Sequence, residues 1–235
     1  MARLEINVNG SGIAIRPAER AILALQAESQ HLPSAAAASA AVTSTATAIR
    51  DTIIEYCPQD ETTGQTLPDA PIVHYSMSTL DTQSHQQRGK DRELLDPLFS
   101  ARADFNIKFQ DFRVLNLLAT KFSAMQNIKI SRIDWLLTDA TLESIKGGAR
   151  KHAGRDAIQK ARDYAEVFAG VKENDLEKVK PVKVEENSYY QQSTRPHLHY
   201  GKMQRGQKAG SEELQFEPED VRLKVTVKAN FAVDM

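Results

Sequence analysis

The stretch Val221-Arg222-Leu223-Lys224-Val225-Thr226-Val227-Lys228-Ala229-Asn230-Phe231-Ala232-Val233 is the clearest β-strand of the sequence, and it decides the kind of fold. From Leu223 to Val233 every second residue is apolar, and Lys, Thr or Asn stands between most of them. This period-2 pattern predicts a strand with one buried and one solvated face. The preceding residues 186–217 have almost no apolar periodicity and are predicted to form a loop. The pairing partners of the strand must therefore come from earlier in the chain.

The rest of the sequence alternates between strand-like and helix-like segments. Period-2 alternation predicts strands, and apolar residues at steps of three and four predict helices. Two strand-like segments stand together near the beginning, which favours the α+β class over a doubly wound parallel sheet. The predicted strands cover about residues 4–9, 19–30, 72–83, 101–110, 127–137, 179–185 and 223–233, and the predicted helices about 34–57, 112–125 and 141–169.

Cap residues and glycines predict where several elements begin and end. Ser34 is a favourable N-cap for the first helix. Asn9-Gly10-Ser11-Gly12 predicts a turn after the first strand, because glycine adopts positive φ without steric cost. The same run is not a dinucleotide-binding loop, since Ile15 stands where the third glycine would be and a strand follows. Gly147-Gly148 predicts a kink or a restart in the long helix, because each glycine costs about 1 kcal/mol relative to alanine.

The composition excludes several classes of protein. The 235 residues include 30 Lys and Arg against 31 Asp and Glu, a formal net charge of −1, which argues against a generally basic nucleic-acid binder. Cys57 is the one cysteine, so an intrachain disulfide and a cysteine-based zinc cluster are excluded. No run approaches the ~18 uninterrupted apolar residues of a membrane span, and no signal-peptide core follows Met1. We therefore expect a soluble, cytoplasmic protein.

No complete catalytic motif occurs in the sequence, so the first expectation is a protein that is not an enzyme and has no cofactor. Cys57 is expected to be a structural thiol at a helix end, where the helix dipole disfavours a thiolate. His152 is expected to be a partly buried packing residue of the long helix. The alternative is an enzyme or metal-dependent binder with a site between two units, and that site would use His74, His152, His197 or His199.

Residues 187–211 combine cations and tyrosines without any acidic residue. Three interpretations stay open: a solvated segment, a protein contact, and a grip on single-stranded nucleic acid by phosphate pairing and base stacking. The near-zero net charge makes nucleic acid the least favoured of the three. The candidate partner-contact residues are Tyr189, Tyr190, Arg195, His197, His199, Tyr200, Lys202 and Arg205.

Three stretches resemble one known family in their order and spacing. Val8-Asn9-Gly10-Ser11-Gly12, followed by Pro17-Ala18-Glu19-Arg20-Ala21, is similar to the start of SIMPL-domain proteins, with one residue between Pro17 and Glu19 as a small departure. Residues 149–165 are similar to the Ala-rich C-terminal helix of that family, and residues 221–231 to its terminal strand. The resemblance covers most of the chain outside about residues 57–71, 85–98 and 186–217.

The resemblance implies an architecture of two intertwined α/β sandwich units, the second of them ferredoxin-like and inserted into the first. The first unit would hold residues 1–90 and 186–235, with the strand 219–234 returning to the sheet begun by residues 3–31. The second unit would hold residues 91–185.

The resemblance also implies a function. The family includes an animal protein that associates with an interleukin-receptor-linked kinase and modulates NF-κB signalling. Its bacterial members are periplasmic or outer-membrane-associated, are linked to oxidative-stress defence, and can assemble into large rings. Without a signal peptide, the chain resembles the intracellular branch more closely. No catalytic residues are established for the family, so none is carried over. We expect a non-enzymatic interaction or assembly protein, with a protein partner, self-association or both.

Overall fold

The computed structural model of the protein describes residues 3–87, 94–193 and 215–234. Helices and two antiparallel sheets occur in this part of the chain, which confirms the predicted α+β class. The strands are β1 (Arg3–Pro17), β2 (Arg20–Glu28), β3 (Ile72–Met77), β4 (Asp81–His85), β5 (Leu98–Phe109), β6 (Ile128–Leu136), β7 (Val179–Ser193) and β8 (Asp220–Asp234). The α-helices are α1 (Ala35–Ile53), α2 (Phe112–Ser123) and α3 (Asp139–Ala169), and short 3-10 helices cover Ile54–Tyr56 and Glu173–Lys178.

The first compact unit contains β1, β7, β8 and α3. Its sheet has the order β1-β8-β7, so the C-terminal strand is the central one. β8 pairs with β1 along its full length, from Arg3 opposite Asp234 to Pro17 opposite Asp220. This pairing confirms that the last strand returns to the sheet with which the chain begins. β2, which the sequence placed in the same sheet, belongs to the other one.

α3 packs on one face of this sheet through small residues on both sides. An ideal Cβ on Gly10 would lie 2.1 Å from the carbonyl oxygen of Ala153, and one on Gly12 would lie 2.0 Å from that of Ala149. Both glycines lie inside β1, so the predicted turn at residues 9–12 is wrong. They are needed for the close approach of helix and strand backbones, because no larger residue fits there. The facing helix residues form a buried alanine stripe: Ala149, Ala153, Ala157, Ala161 and Ala165.

α3 continues through Gly147 and Gly148 without interruption, so the predicted kink is wrong. A Cβ on either glycine would meet nothing within 4 Å, which means that they lie on the open side of the helix. Helix packing through the alanine stripe offsets their propensity cost. The helix begins after the N-cap Thr138 and ends at Gly170, whose φ of 64° is the left-handed conformation that favours glycine at a helix C-terminus.

The second compact unit contains β2 to β6 with α1 and α2. Its sheet has the order β3-β5-β2-β6, with β4 also paired to β5. Apart from β4, the chain order is strand-helix-strand-strand-helix-strand, which is the ferredoxin-like arrangement. α1 begins at the predicted N-cap, where the Ser34 hydroxyl accepts a hydrogen bond from the backbone N–H of Ala37. The core is formed by Leu23, Leu25, Ile107 and Phe109 of the sheet, Val42, Ile49 and Ile53 of α1, and Leu115, Leu118 and Phe122 of α2.

These units differ from the predicted ranges 1–90 plus 186–235 and 91–185. β2 pairs with β5, from Ala21 opposite Phe109 to Glu28 opposite Arg102, so the ferredoxin-like unit begins directly after β1. α3 and β7 pack with β1 and β8 and thus belong to the first unit.

Residues 186–193 form the second half of β7, so the prediction of a loop over residues 186–217 is wrong for this part. The pairing with β8 stabilises them, with Ser193 opposite Val221. Residues 194–214 lie outside the described residues. After them, Phe216 is held against α2 by Asn116, whose side-chain amide accepts from the Phe216 N–H at 2.8 Å and donates to its C=O at 3.3 Å.

Candidate functional site

The predicted partner-contact residues fall at the edge of the described region. Tyr189 and Tyr190 belong to β7, opposite Val225 and Lys224 of β8. The contact surface stays a prediction, because its other members lie outside the described residues: Arg195, His197, His199, Tyr200, Lys202 and Arg205.

The predicted histidine residues that can be placed are on separate units. His74 is exposed on β3 and His152 is exposed on α3. The expectation of a partly buried His152 is wrong, because successive helix residues diverge and His152 points away from the stripe that contains Ala153. Within the described ranges there is no group of three or more His, Cys, Asp or Glu side chains placed to hold a metal ion. The metal-dependent alternative stays a prediction.

Cys57 lies directly after a short 3-10 helix, as the sequence predicts for a helix-end thiol. Its side chain is buried, and its Sγ lies 3.6 Å from the hydroxyl oxygen of Thr66.

A polar hollow on the first unit is satisfied by its own side chains. Asn230 donates from Nδ2 to Oδ1 of Asn7 at 2.9 Å, and Lys183 pairs with Glu185. Hydrogen bonding from Lys183 lowers the pKa of Glu185, and the charges of Lys183 and Lys228 act in the same direction. Because these groups already pair with one another, we interpret this hollow as an ordinary solvated sheet face.

An apolar groove in the ferredoxin-like unit lies between α1 and the strands β3 and β5. Its volume is about 320 Å³, at the lower end of the range for ligand pockets. The lining residues are Thr43, Ala46, Thr47, Arg50 and Ile53 of α1, Tyr75 and Met77 of β3, and Phe105 of β5.

Local sequence periodicity builds both walls of this groove. The α1 residues recur at steps of three and four, which puts them along one flank of the helix beside its buried stripe. Tyr75 and Met77 are two residues apart and therefore face the same side of the sheet. Met77 pairs with Phe105 and Tyr75 with Ile107, both of which are buried on the helix-covered face. The groove thus continues the hydrophobic core to the surface.

The polar atoms of the groove are few. The Thr43 hydroxyl donates to the carbonyl of Ser39 at 2.9 Å, and the Thr47 hydroxyl donates to that of Thr43 at 3.0 Å. Their hydrogens are therefore used within the helix. Arg50 supplies the charged donor, and its side chain is 60% exposed. The groove therefore combines an apolar floor with one cation.

The groove runs beside an edge of the sheet. β3 pairs with β5 on one side, and no strand in the described part of the chain pairs with its other side. Met77 is 54% exposed, unusually open for a large apolar side chain that faces a core. β3 thus presents backbone N–H and C=O groups together with accessible apolar side chains.

Sequence reasoning missed this groove. The sequence analysis predicted a helix over about residues 34–57 and a strand over about residues 72–83, but it singled out none of the side chains that line the groove. The pairing of β3 with β5 brings these residues together, and the spacing of Tyr75 and Met77 was the local signal for it.

Comparison with known proteins gives one family. A family model described as SIMPL, a protein of unknown function (DUF541), matches residues 6–231. A search of curated proteins found no match to the chain. In the described part of the structure, no helix is both long and apolar enough to cross a membrane.

Proposed function

The chain belongs to the SIMPL family of unknown function, and from this premise we propose that it is a non-enzymatic interaction protein whose α1–β3 groove binds an extended segment of a partner protein. The proposal places this activity in the cytoplasm, where the single buried thiol of Cys57 stays reduced.

The observation that carries the proposal is the combination of an open strand edge with an adjacent apolar groove. An added strand would hydrogen-bond to the unpaired side of β3, and every second side chain would enter the groove. Main-chain hydrogen bonds give affinity in this mode, and the pockets for alternate side chains give specificity. The six residues of β3 span roughly 20 Å, which corresponds to a partner segment of similar length.

The chemistry of the groove supports binding more than catalysis. A general acid or base needs a pKa near the working pH, whereas an arginine side chain remains protonated in proteins. Arg50 therefore suits the orientation of a ligand through charge and hydrogen bonds.

Selection of random linear peptides on the immobilised full chain tests the proposal. We expect enriched peptides whose dissociation constants weaken at least tenfold when Ala46→Phe fills the groove. Ala37→Phe is the matched control, because Ala37 is exposed and does not line the groove, and its binding should equal that of the wild type.

A second variant controls for the case in which Ala46→Phe weakens binding by disturbing the fold. Thr43 is exposed and lines the groove, so Thr43→Trp should block the groove without removing a core side chain. If peptides bind both blocked variants as tightly as the wild type, or if selection enriches no peptide, the proposed function is wrong.

A further inference from the structure

We propose that the partner segment carries a carboxylate, which the guanidinium of Arg50 binds while neighbouring apolar side chains of the segment fill the groove. This inference rests on the proposed function and names the chemistry of the partner.

The charge distribution around the groove selects an anion. Among the described residues that line it, Arg50 is the charged one. The whole of α1 contains two charged residues, Arg50 and Asp51, and the sequence of β3 contains no Lys, Arg, Asp or Glu. A carboxylate brought into the groove therefore meets one cation and no anionic wall. A cation brought there would meet repulsion from Arg50, and none of the described residues that line the groove is acidic.

Asp51 does not form a hydrogen bond with the guanidinium of Arg50. The closest distance between Nε of Arg50 and a carboxylate oxygen of Asp51 is 3.9 Å, too long for a hydrogen bond. Both side chains are more than half exposed, at 60% and 66%, so water screens their attraction. Adjacent helix residues also point in different directions. The guanidinium thus keeps donors for a ligand carboxylate, which accepts two parallel N–H bonds from such a fork.

The spacing along the groove predicts the pattern of the partner segment. Ala46 and Arg50 are four residues apart, which is about 6 Å along a helix axis. In an extended strand, a residue and the second residue after it are roughly 6.6 Å apart and have their side chains on the same face. A segment with an acidic residue two positions from an apolar one would therefore place the carboxylate at Arg50 and the apolar side chain at Ala46. A free C-terminal carboxylate two positions beyond an apolar residue satisfies the same geometry.

Fluorescence anisotropy with four labelled hexapeptides tests the inference on the full chain. All have Thr at the odd positions and Leu at the second. Three are C-terminally amidated, with Leu at the sixth position and Glu, Gln or Lys at the fourth. The last has Leu at the fourth position, Gln at the sixth and a free C-terminal carboxylate. We expect the Glu peptide to bind roughly tenfold more tightly than the Gln peptide, a preference that falls as salt is added. Comparison of the Glu peptide with the free-carboxylate peptide distinguishes a side-chain from a terminal carboxylate.

Reversing the charge of Arg50 is the decisive variant of this binding experiment. Arg50→Glu should abolish the preference for Glu and make the Lys peptide the tightest binder. Arg155→Glu is the matched control, because Arg155 is exposed on α3 of the other unit, and the Glu preference should persist. If Ala46→Phe abolishes binding but Arg50→Glu leaves the order of the four peptides unchanged, this inference is wrong and the proposed function stands. If neither these peptides nor selected ones bind the groove, both are wrong.

Discussion

Gly10 and Gly12 have one physical requirement, the close approach of the α3 backbone. Glycine marks a turn when φ is positive and marks a tight contact when a Cβ would collide, and the letters in the sequence are the same in both cases. Here neither residue has positive φ, so the collision decides. The sequence therefore identified two important positions and assigned them the wrong role.

Gly10→Ala and Gly12→Ala should each lower the free energy of unfolding by at least about 2 kcal/mol, because the new methyl meets backbone atoms that cannot move alone. Gly148→Ala is the matched control. It adds the same methyl to open space on an exposed side of α3 and should stabilise the protein by up to about 1 kcal/mol. Urea unfolding followed by circular dichroism measures all three. A Gly10→Ala protein as stable as the wild type would contradict the packing explanation.

The edge strands β1 and β3, one from each sheet, differ in how their outer backbone groups are satisfied. On β1, the N–H of Ser11 donates to Asp156 of α3 at 2.8 Å, and Lys160 of α3 donates to the carbonyl of Asn9 at 2.9 Å. These contacts occupy part of the edge and disfavour pairing with another strand there. No side chain makes a comparable contact along β3 among the described residues. This difference between the two edges supports β3 as the place where a partner strand adds.

Asp156→Asn should lower the free energy of unfolding near neutral pH and leave it unchanged in acid. The hydrogen bond from Lys160, followed by that from the Ser11 N–H, lowers the pKa of Asp156. A carboxyl whose pKa is lower in the folded state stabilises the protein above its unfolded pKa of about 3.9, and this contribution disappears as pH falls through the folded pKa.

Because Asp156 is partly exposed, we expect the free energies of unfolding of wild type and Asp156→Asn to differ by at most about 1 kcal/mol at pH 7. Urea unfolding from pH 7 to pH 2.5 measures it, and Lys160→Gln should remove most of the same pH dependence. A difference between Asp156→Asn and wild type that stays constant over this range would contradict the assignment.

At the scale of the whole molecule, periodicity predicted most elements and the class, and the family resemblance predicted that the last strand returns to the first sheet. The other pairing partners required the structure. β1 and β2 are separated by Ala18 and Glu19 alone, and such neighbours often form a hairpin. Instead β1 pairs with β8 and β2 pairs with β5, each far away in the sequence. Pairing over such distances is decided by which buried faces meet, and no local pattern encodes that. The same reason explains the missed groove, whose walls come from α1, β3 and β5.

Removal of β8 should unfold the first unit and leave the second one folded. β8 is the central strand between β1 and β7, and its apolar face forms the core beneath α3. In a chain that ends at residue 218, β1 and β7 have no partner strand and α3 loses its packing surface. An amphipathic face without a partner does not keep a helix stable in water. The ferredoxin-like unit keeps all of its strands, and it keeps Phe216, which Asn116 holds.

Hydrogen–deuterium exchange read by mass spectrometry, with the full-length protein as the reference, measures this expectation peptide by peptide. Amides of α3 and β1 should exchange within the dead time in the truncated chain, while those of β2 and β5 stay as protected as in the full-length protein. β1 lies more than 200 residues from its partner β8, so the first unit cannot fold until the last segment of the chain is present. The second unit pairs its strands over shorter distances in the sequence. Protection of α3 without β8 would mean that the helix is stabilised by something other than this sheet. Loss of protection in β2 and β5 would mean that the two units fold as one.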